Sequence, residues 1–178
     1  MKKIAEREVL VQDQSTGYTK KILAKDYMHP NGLRELFFID KDKDSVQIFA
    51  VTETNTVLCV KQYRAGQEEH CVELPGGAID EGESPVNAAV RELMEETGFE
   101  PQSIRPLVVI PYSPYSSGHR HVFLAEGCKR VAKQSLDPNE EGLKLQEWDL
   151  DVFRGEIRKG RIRGWDVGYM ALDALGKL

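Results

Sequence analysis

The sequence has few cysteines, no long apolar run and no excess of positive charge. Its three cysteines, Cys59, Cys71 and Cys128, are too widely spaced for a zinc site or a disulfide framework. No stretch approaches the roughly 18 apolar residues that span a bilayer, and the two N-terminal lysines precede no apolar segment typical of a secretory signal. With a net charge of −5, the chain is expected to bind neither nucleic acid nor membranes and to reside in the cytoplasm.

The chain of 178 residues is long enough for one sizeable core with a small appendage. Three runs of strand-forming residues, each bounded by turn signals, fill the N-terminal part, and the charged run KDKD at residues 41–44 follows them. We therefore predict a small antiparallel sheet at residues 1–44 and a second domain at residues 45–178.

The second part of the chain alternates between strand and helix patterns without a regular repeat. Strands are predicted at residues 46–52, 56–64, 71–77, 105–112, 120–127 and 144–150, and helices at residues 85–97, 151–160 and 164–178. This order favours an α+β fold with a sheet between helices, an αβα sandwich, over a regular βαβ repeat.

The helix at residues 85–97 has clear boundary signals. Ser84 is a good N-cap, Pro85 suits the first helical position and Gly98 suits the C-terminal stop. Apolar residues recur at helical spacing and predict one buried stripe of Val86, Ala89, Val90 and Leu93.

Three glutamates, Glu92, Glu95 and Glu96, fall within an arc of roughly 100° that lies largely off this stripe. They oppose the helix dipole, and no lysine at i+4 relieves them. A glycine-rich loop, ELPGGAIDEGE, precedes the helix and can bend sharply. Clustered carboxylates with nearby carbonyls are what hard divalent cations bind, so the residues alone leave two readings open, a solvated acidic face and a cation site.

The spacing of these residues matches a known family motif. Gly77, five residues, Glu83, seven residues and then the run RELMEETGF at 91–99 fill every position of the Nudix box, G-x5-E-x7-R-E-U-x-E-E-x-G-U with U apolar. The chain resembles a Nudix hydrolase over nearly all of residues 45–178. The resemblance implies a mixed sheet between helices and hydrolysis of a nucleoside diphosphate linked to another moiety.

The resemblance also assigns roles within the box. The implied metal is Mg²⁺, with Mn²⁺ as the alternative, and its implied ligands are Glu92, Glu95, Glu96 and the carbonyl of Gly76. Glu92 and Glu95 are in addition candidate catalytic residues. Three residues are implied to brace the loop against the helix, namely Gly77, Glu83 and Arg91.

Segments outside the box resemble the branch of ADP-ribose and nucleoside-diphosphate-sugar pyrophosphatases. Pro114 follows the box at a typical distance, in a Ser-Pro loop, and is a candidate substrate-binding residue unless it only shapes the loop. The three-strand N-terminal piece resembles the sheet by which that branch forms domain-swapped homodimers. Arg64 would meet a phosphate, for which a guanidinium fork is suited. Glu73 would face the nucleotide or help to orient a metal, unless it only forms a salt bridge at the strand end.

One loop departs from that branch, whose members often carry a glutamate after the proline. Here the loop reads YSSGHRH, without a carboxylate. Either His119 or Arg120 contacts the substrate instead, or the catalytic base comes from the stretch DPNEEG, which offers Glu140 and Glu141. An acidic turn and a surface histidine are the plain alternatives for these residues.

The sequence thus predicts an enzyme, a Mg²⁺-dependent Nudix hydrolase of nucleoside diphosphate sugars. ADP-ribose is the first candidate substrate, giving AMP and ribose 5-phosphate by attack of a metal-activated water. The alternatives are GDP-mannose or another nucleoside diphosphate derivative, and a non-catalytic nucleotide-sugar sensor that keeps the fold.

Overall fold

A computed structural model describes residues 1–140 and 142–178 of the chain. The described residues form two compact units. The first contains Met1–Asp44 and Ile110–Arg120, and the second contains Ser45–Val109 and His121–Leu178.

The first unit is built on a three-stranded antiparallel sheet, as the sequence predicts. Its strands are β1 (Lys2–Gln12), β2 (Thr19–Met28) and β3 (Arg34–Asp40), in the order β1-β2-β3. The turn between β1 and β2 is fixed by Asp13, whose carboxylate accepts hydrogen bonds from the backbone of Ser15 and Thr16 at 2.8 and 2.9 Å.

A second stretch of chain belongs to this unit. The backbone of Asp40, at the end of β3, donates to the carbonyl of Tyr115 and accepts from the N–H of Ser117, each at 2.8 Å. Residues 110–120 therefore extend the hydrogen bonding of the small sheet.

The remaining strands form one larger, mixed sheet. They are β4 (Ser45–Thr52), β5 (Thr56–Arg64), β6 (Glu69–Glu73), β7 (Phe99–Glu100), β8 (Ser103–Pro111), β9 (His119–Arg130), β10 (Lys144–Asp149) and β11 (Ile162–Arg163). The order is β11-β6-β5-β4-β9-β7, with β10 paired to β5 and β8 to β9. β11 runs parallel to β6, whereas β5 pairs antiparallel with β4, β6 and β10. The two-residue strands β7 and β11 are absent from the sequence prediction.

Three helices and a short 3-10 turn complete the second unit. They are α1 (Pro85–Thr97), α2 (Leu150–Arg158), α3 (Trp165–Ala174) and the turn Pro138–Glu140. The side chains of β4 alternate between two apolar layers. Ile48 packs in the cluster that includes Leu93 of α1, while Phe49 makes an edge-to-face contact with Phe153 of α2 at 5.3 Å. Helices therefore cover both faces of β4, and the predicted αβα sandwich is confirmed.

Two further predictions concern the cysteines and the absence of a membrane-spanning segment. The three cysteines are buried and free, and burial raises the pKa of the Cys59 thiol to about 12, as expected for a core residue. Among the described helices, none is long and apolar enough to cross a membrane.

Candidate active site

The helix α1 forms where its boundary signals predict. The hydroxyl of Ser84 accepts a hydrogen bond from the backbone N–H of Asn87 at 3.3 Å, which caps the first turn. Gly98 takes a left-handed conformation with φ 75°, and its N–H donates to the carbonyl of Met94 at 2.8 Å. These caps fix the residues that face the sheet and the preceding loop.

The buried face of α1 differs from the predicted apolar stripe. Val86 is 40 % exposed, whereas the buried positions are Ala88, Ala89, Glu92, Leu93, Glu96 and Thr97. The prediction that the glutamates lie largely off the buried face is therefore wrong for Glu92 and Glu96. Both side chains point at the glycine-rich loop, which shields them from water. Two carboxylates therefore occupy buried positions where helical periodicity predicts apolar side chains.

That loop is held against β4 by alternate backbone groups. The N–H groups of Val46 and Ile48 donate to the carbonyls of Gly77 and Pro75 at 2.9 and 2.8 Å. Gly76, whose carbonyl is a predicted metal ligand, comes between Pro75 and Gly77 in the chain. The N–H of Gly76 donates to a carboxylate oxygen of Glu96 at 2.9 Å, so the loop and the helix end are joined directly.

Close approach requires a glycine at position 76, where the neighbour is backbone, and a glycine at position 77 keeps the Glu92 carboxylate in its place. A Cβ added to Gly76 would lie 2.2 Å from the carbonyl oxygen of Val46, and one added to Gly77 would lie 2.3 Å from a carboxylate oxygen of Glu92. Only a residue without a Cβ leaves room for the Glu92 carboxylate at this point.

Three carboxylates converge beside the loop. One oxygen each of Glu92, Glu96 and Glu140 lies within 4.8 Å of the others. Glu140 reaches them from the 3-10 turn, far along the chain from α1. Burial raises the pKa of Glu96 to about 8, although its hydrogen bond from Gly76 acts in the opposite direction. Burial likewise raises the pKa of Glu92.

This donor set fits a divalent cation. Carboxylates that are buried close together are costly to ionise, because each loses water and repels the others. A bound divalent cation removes that cost, and its preferred ligands are oxygen atoms of carboxylates and carbonyls. Glu92, Glu96 and Glu140, together with the neighbouring carbonyl of Gly76, could supply them.

Arg91 lies beside this cluster and donates hydrogen bonds to three carboxylates, with a fourth, that of Asp80, at 3.9 Å. Its guanidinium donates to both oxygens of Glu83, at 3.0 and 2.9 Å, and to Glu92 and Glu95 at 2.9 and 3.0 Å. A further hydrogen bond of 3.1 Å runs to the carbonyl of Ala78. Pairing with Arg91 lowers the pKa of Glu83, and the same carboxylates raise the pKa of Arg91.

The structure thus places the box glutamates in two environments. Glu83 contacts Arg91 at the position assigned to bracing. Glu95 also contacts Arg91 and does not belong to the cluster of Glu92, Glu96 and Glu140. Its assignment as a metal ligand and catalytic residue therefore stays a prediction.

Two predicted substrate-binding residues are the last residues of their strands, Arg64 of β5 and Glu73 of β6. Arg64 and Glu73 form a bidentate ion pair, with one of its bonds at 2.8 Å, and this pairing raises the pKa of Arg64. Glu73 comes three residues before Gly76, whose N–H donates to Glu96, which places the pair near the carboxylate cluster. The strand-end salt bridge considered for Glu73 is present. The side chain of Arg64 is 43 % exposed, which leaves N–H donors for a ligand.

A second arginine at Glu73 has no signal in the sequence. Arg163 of β11 is registered opposite Glu73, and its Nε lies 3.4 Å from a carboxylate oxygen of Glu73. Sequence reasoning missed it because only the pairing of a two-residue strand with β6 brings it there.

The other predicted substrate contacts belong to the first unit. Pro114 lies in an exposed turn, and the backbone N–H of His119 donates to Asp44 at 2.8 Å. Pro114 and His119 thus belong to the first unit and the carboxylate cluster to the second, and their predicted substrate contacts stay predictions. Glu141, the second candidate base, lies outside the described residues.

Comparison with known proteins identifies the class. The family model described as NUDIX domain matches residues 41–162, and the chain belongs to the Nudix hydrolase family. The resemblance read from residues 77–99 is therefore confirmed, including the conclusion that the chain is an enzyme of this class.

Two curated relatives cover most of the chain. A protein named ADP-ribose pyrophosphatase from Bacillus subtilis (strain 168) is 32% identical over 142 residues, which are 79% of this chain and 77% of the relative. A protein named methanol dehydrogenase activator from Bacillus methanolicus is 30% identical over 164 residues, 91% of this chain and 89% of the relative. A crystal structure described as an ADP compounds hydrolase is similar with a TM-score of 0.78 at 20% identity, covering 99% of this chain and 96% of that one. This last likeness supports the fold.

Proposed function

We propose that this protein hydrolyses the pyrophosphate bond of ADP-ribose to AMP and ribose 5-phosphate, with Mg²⁺ as its metal. The observation that carries the proposal is the convergence of Glu92, Glu96 and Glu140 beside a glycine-rich loop and near Arg64. The choice of ADP-ribose is supported by the names of relatives, among them the ADP-ribose pyrophosphatase of Bacillus subtilis.

The metal would be held by Glu92, Glu96 and the carbonyl of Gly76. When bound, a divalent cation neutralises negative charge on a pyrophosphate and lowers the pKa of a coordinated water. Gly76 keeps Glu96 in place through its N–H, and Arg91 fixes Glu92 from the other side. Mn²⁺ satisfies the same oxygen ligands and is the alternative metal.

The protein's own groups would position the substrate and move the proton. Arg64, oriented by its two hydrogen bonds to Glu73, would donate its remaining N–H groups to a phosphate. Glu140 would accept the proton of the attacking water, because it approaches the cluster from a separate segment and is not held by Arg91 in the described contacts. Glu95 remains the alternative base from within the box.

The test is an assay of nucleoside monophosphate release, AMP or GMP, with ADP-ribose, GDP-mannose and a dinucleoside pyrophosphate, each with Mg²⁺, with Mn²⁺ and with EDTA. We expect kcat/KM for ADP-ribose to exceed the others by about tenfold or more, equivalent to roughly 1.4 kcal/mol of transition-state binding, and EDTA to abolish turnover. Hydrolysis of GDP-mannose above ADP-ribose would move the proposal to the alternative substrate. No turnover of any nucleoside diphosphate derivative would refute it and would favour a nucleotide-sugar sensor.

The proposal includes a homodimer formed through the N-terminal sheet. Apolar side chains of that sheet are exposed in the single chain. Val11 and Phe38, which are 51% and 57% exposed, lie on one face of the sheet, because their partners on β2, Lys20 and Ala24, are an even number of residues apart. A second copy of the sheet would cover them. Sedimentation should give twice the chain mass, and Val11→Asp with Phe38→Asp should give the mass of one chain; a wild-type mass of one chain would contradict the dimer.

A further inference from the structure

A pocket of about 440 Å³ opens at the edge of the larger sheet, beside β6 and β11. Its lining includes Lys61, Gln67, His70, Trp148, Arg161 and Arg163. The pocket exists because β11 is only two residues long and pairs with the end of β6, Ile162 opposite Val72 and Arg163 opposite Glu73. Its volume lies in the range of small-molecule sites.

Arg163 belongs both to this pocket and to the predicted phosphate site. Its Nε lies 3.4 Å from Glu73, and its Nη1 donates to the side-chain oxygen of Gln67 in the turn between β5 and β6. Glu73 in turn holds Arg64. The pocket is therefore connected to Arg64, the predicted phosphate ligand, through one continuous set of contacts.

The charges around Arg163 favour an anion. Two guanidinium groups, those of Arg64 and Arg163, share the single buried carboxylate of Glu73. One carboxylate neutralises one of them, and the side chain of Arg163 is 48 % exposed. The lining holds two carboxylates, Glu69 and Glu156, against three cationic side chains, those of Lys61, Arg161 and Arg163. Glu156 is already paired with Lys159 at 2.7 Å and with Arg161 at 3.3 Å.

The pocket also offers a surface for an uncharged ring. Trp148 is half-buried and His70 is exposed in its wall. Aromatic side chains supply apolar contact area beside the polar groups that fix orientation, which is the usual composition of a site for a small organic ligand. A phosphorylated sugar combines these two requirements, an anionic group and a compact ring.

We propose that this pocket receives the sugar phosphate half of the substrate, and that Arg163 donates to its phosphate. The inference rests on the proposed function and deepens it, because it assigns the two halves of the substrate to different sides of the Glu73 ion pairs. Arg163 is then a specificity-determining residue for the group beyond the scissile bond.

The experiment uses the fluorescence of Trp148 and needs no turnover. The chain has two tryptophans, so Trp165→Phe leaves the pocket indole as the single probe. Ribose 5-phosphate should change its emission saturably, while AMP should not. Arg163→Ala should weaken ribose 5-phosphate binding by about tenfold, the loss expected for one charge-assisted hydrogen bond, and Arg163→Lys should recover part of it.

The control is Arg105→Ala, which removes another half-exposed arginine. Arg105 lies outside the pocket and pairs with Glu126, at an N–O distance of 4.0 Å. It should leave ribose 5-phosphate binding within about twofold of the parent. Equal weakening by Arg105→Ala and Arg163→Ala would overturn the inference, as would an emission change with AMP in place of ribose 5-phosphate.

Steady-state kinetics separate a binding role from a purely structural one. Arg163→Ala should raise KM for ADP-ribose and the inhibition constant of ribose 5-phosphate, with kcat and the inhibition constant of AMP nearly unchanged. If both inhibition constants rise equally, Arg163 only supports Glu73 and Arg64, and the inference fails. A wild type that binds ribose 5-phosphate but hydrolyses no substrate would refute the proposed function and leave the pocket assignment standing.

Discussion

Glu83 and Glu96 belong to one motif and differ in what surrounds them. Glu83, before the start of α1, has both oxygens on the guanidinium of Arg91, which lowers its pKa. Glu96, near the end of α1, is 2 % exposed, accepts a hydrogen bond from a backbone N–H and lies near two other carboxylates. Burial raises its pKa to about 8.

The difference separates the motif into two parts. At the Glu83 end the charge is neutralised within the protein, so this end can support the loop without any ligand. At the Glu96 end the charges are incompletely neutralised, which is the arrangement expected where an external cation completes the site. Mutations at the two ends should therefore have different effects on activity, stability and metal binding.

The largest effect is expected for Glu96→Gln. We expect kcat/KM for the substrate to fall by about a thousandfold, because a ligand of the proposed metal is lost and the metal supplies several kcal/mol of transition-state stabilisation. The metal-free variant should be at least as stable as wild type, because a buried ionisable group becomes neutral. Steady-state assays with saturating Mg²⁺ and urea unfolding in EDTA measure the two quantities, and full activity in the variant would contradict the assignment.

The next effect is expected for Arg91→Ala. Its loss leaves Glu83, Glu92 and Glu95 without their shared guanidinium, and we expect the free energy of unfolding to fall by about 2 to 3 kcal/mol. Urea unfolding in EDTA measures this without a contribution from metal. Arg105→Ala, which removes an exposed pair, should cost less than about 1 kcal/mol; equal costs for the two variants would show that Arg91 is an ordinary surface residue.

The last effect is a pH dependence of the metal-free protein. Because the pKa of Glu96 is about 8 in the folded state against an ordinary value of 4.5, the folded state binds more protons than the unfolded state between these two pH values. The stability that protonated Glu96 contributes is fully present below about pH 4.5, and it is lost as the pH rises through 8. Glu83 acts oppositely, since its lowered pKa gives a contribution that is lost as the pH falls.

The measurement is the difference in unfolding free energy between wild type and Glu96→Gln at several values from about pH 5.5 to about pH 8. We expect wild type to lose stability relative to the variant as the pH rises, and added Mg²⁺ to stabilise wild type more at the upper end of this range than at the lower end. A difference that is constant over this range would mean that Glu96 titrates normally.

Much of the fold is readable from local patterns. The caps Ser84 and Gly98 locate α1 correctly, and the turn signals locate the longer strands, because these features depend on neighbouring residues. The two-residue strands β7 and β11 could not be predicted, since so few residues carry no periodicity and their structure depends on a partner strand.

The motif accounts for part of the site, and the family resemblance adds Arg64, Glu73 and Glu140 from outside it. The contact between Glu83 and Arg91 follows the motif spacing, whereas the burial of Glu92 and Glu96 does not follow apolar periodicity. The approach of Glu140 and the position of Arg163 depend on tertiary folding, and they place a third carboxylate and a second arginine where spacing alone gives no indication.

The central claim is that the end of α1, and not its beginning, holds a divalent cation. The most direct test is a titration with Mn²⁺, followed by its electron paramagnetic resonance signal, of wild type, Glu96→Gln and Glu83→Gln. We predict that Glu96→Gln weakens Mn²⁺ binding by about a hundredfold and that Glu83→Gln weakens it by about tenfold or less, the range of a residue that acts through its neighbours. Unchanged Mn²⁺ affinity in Glu96→Gln would contradict the account.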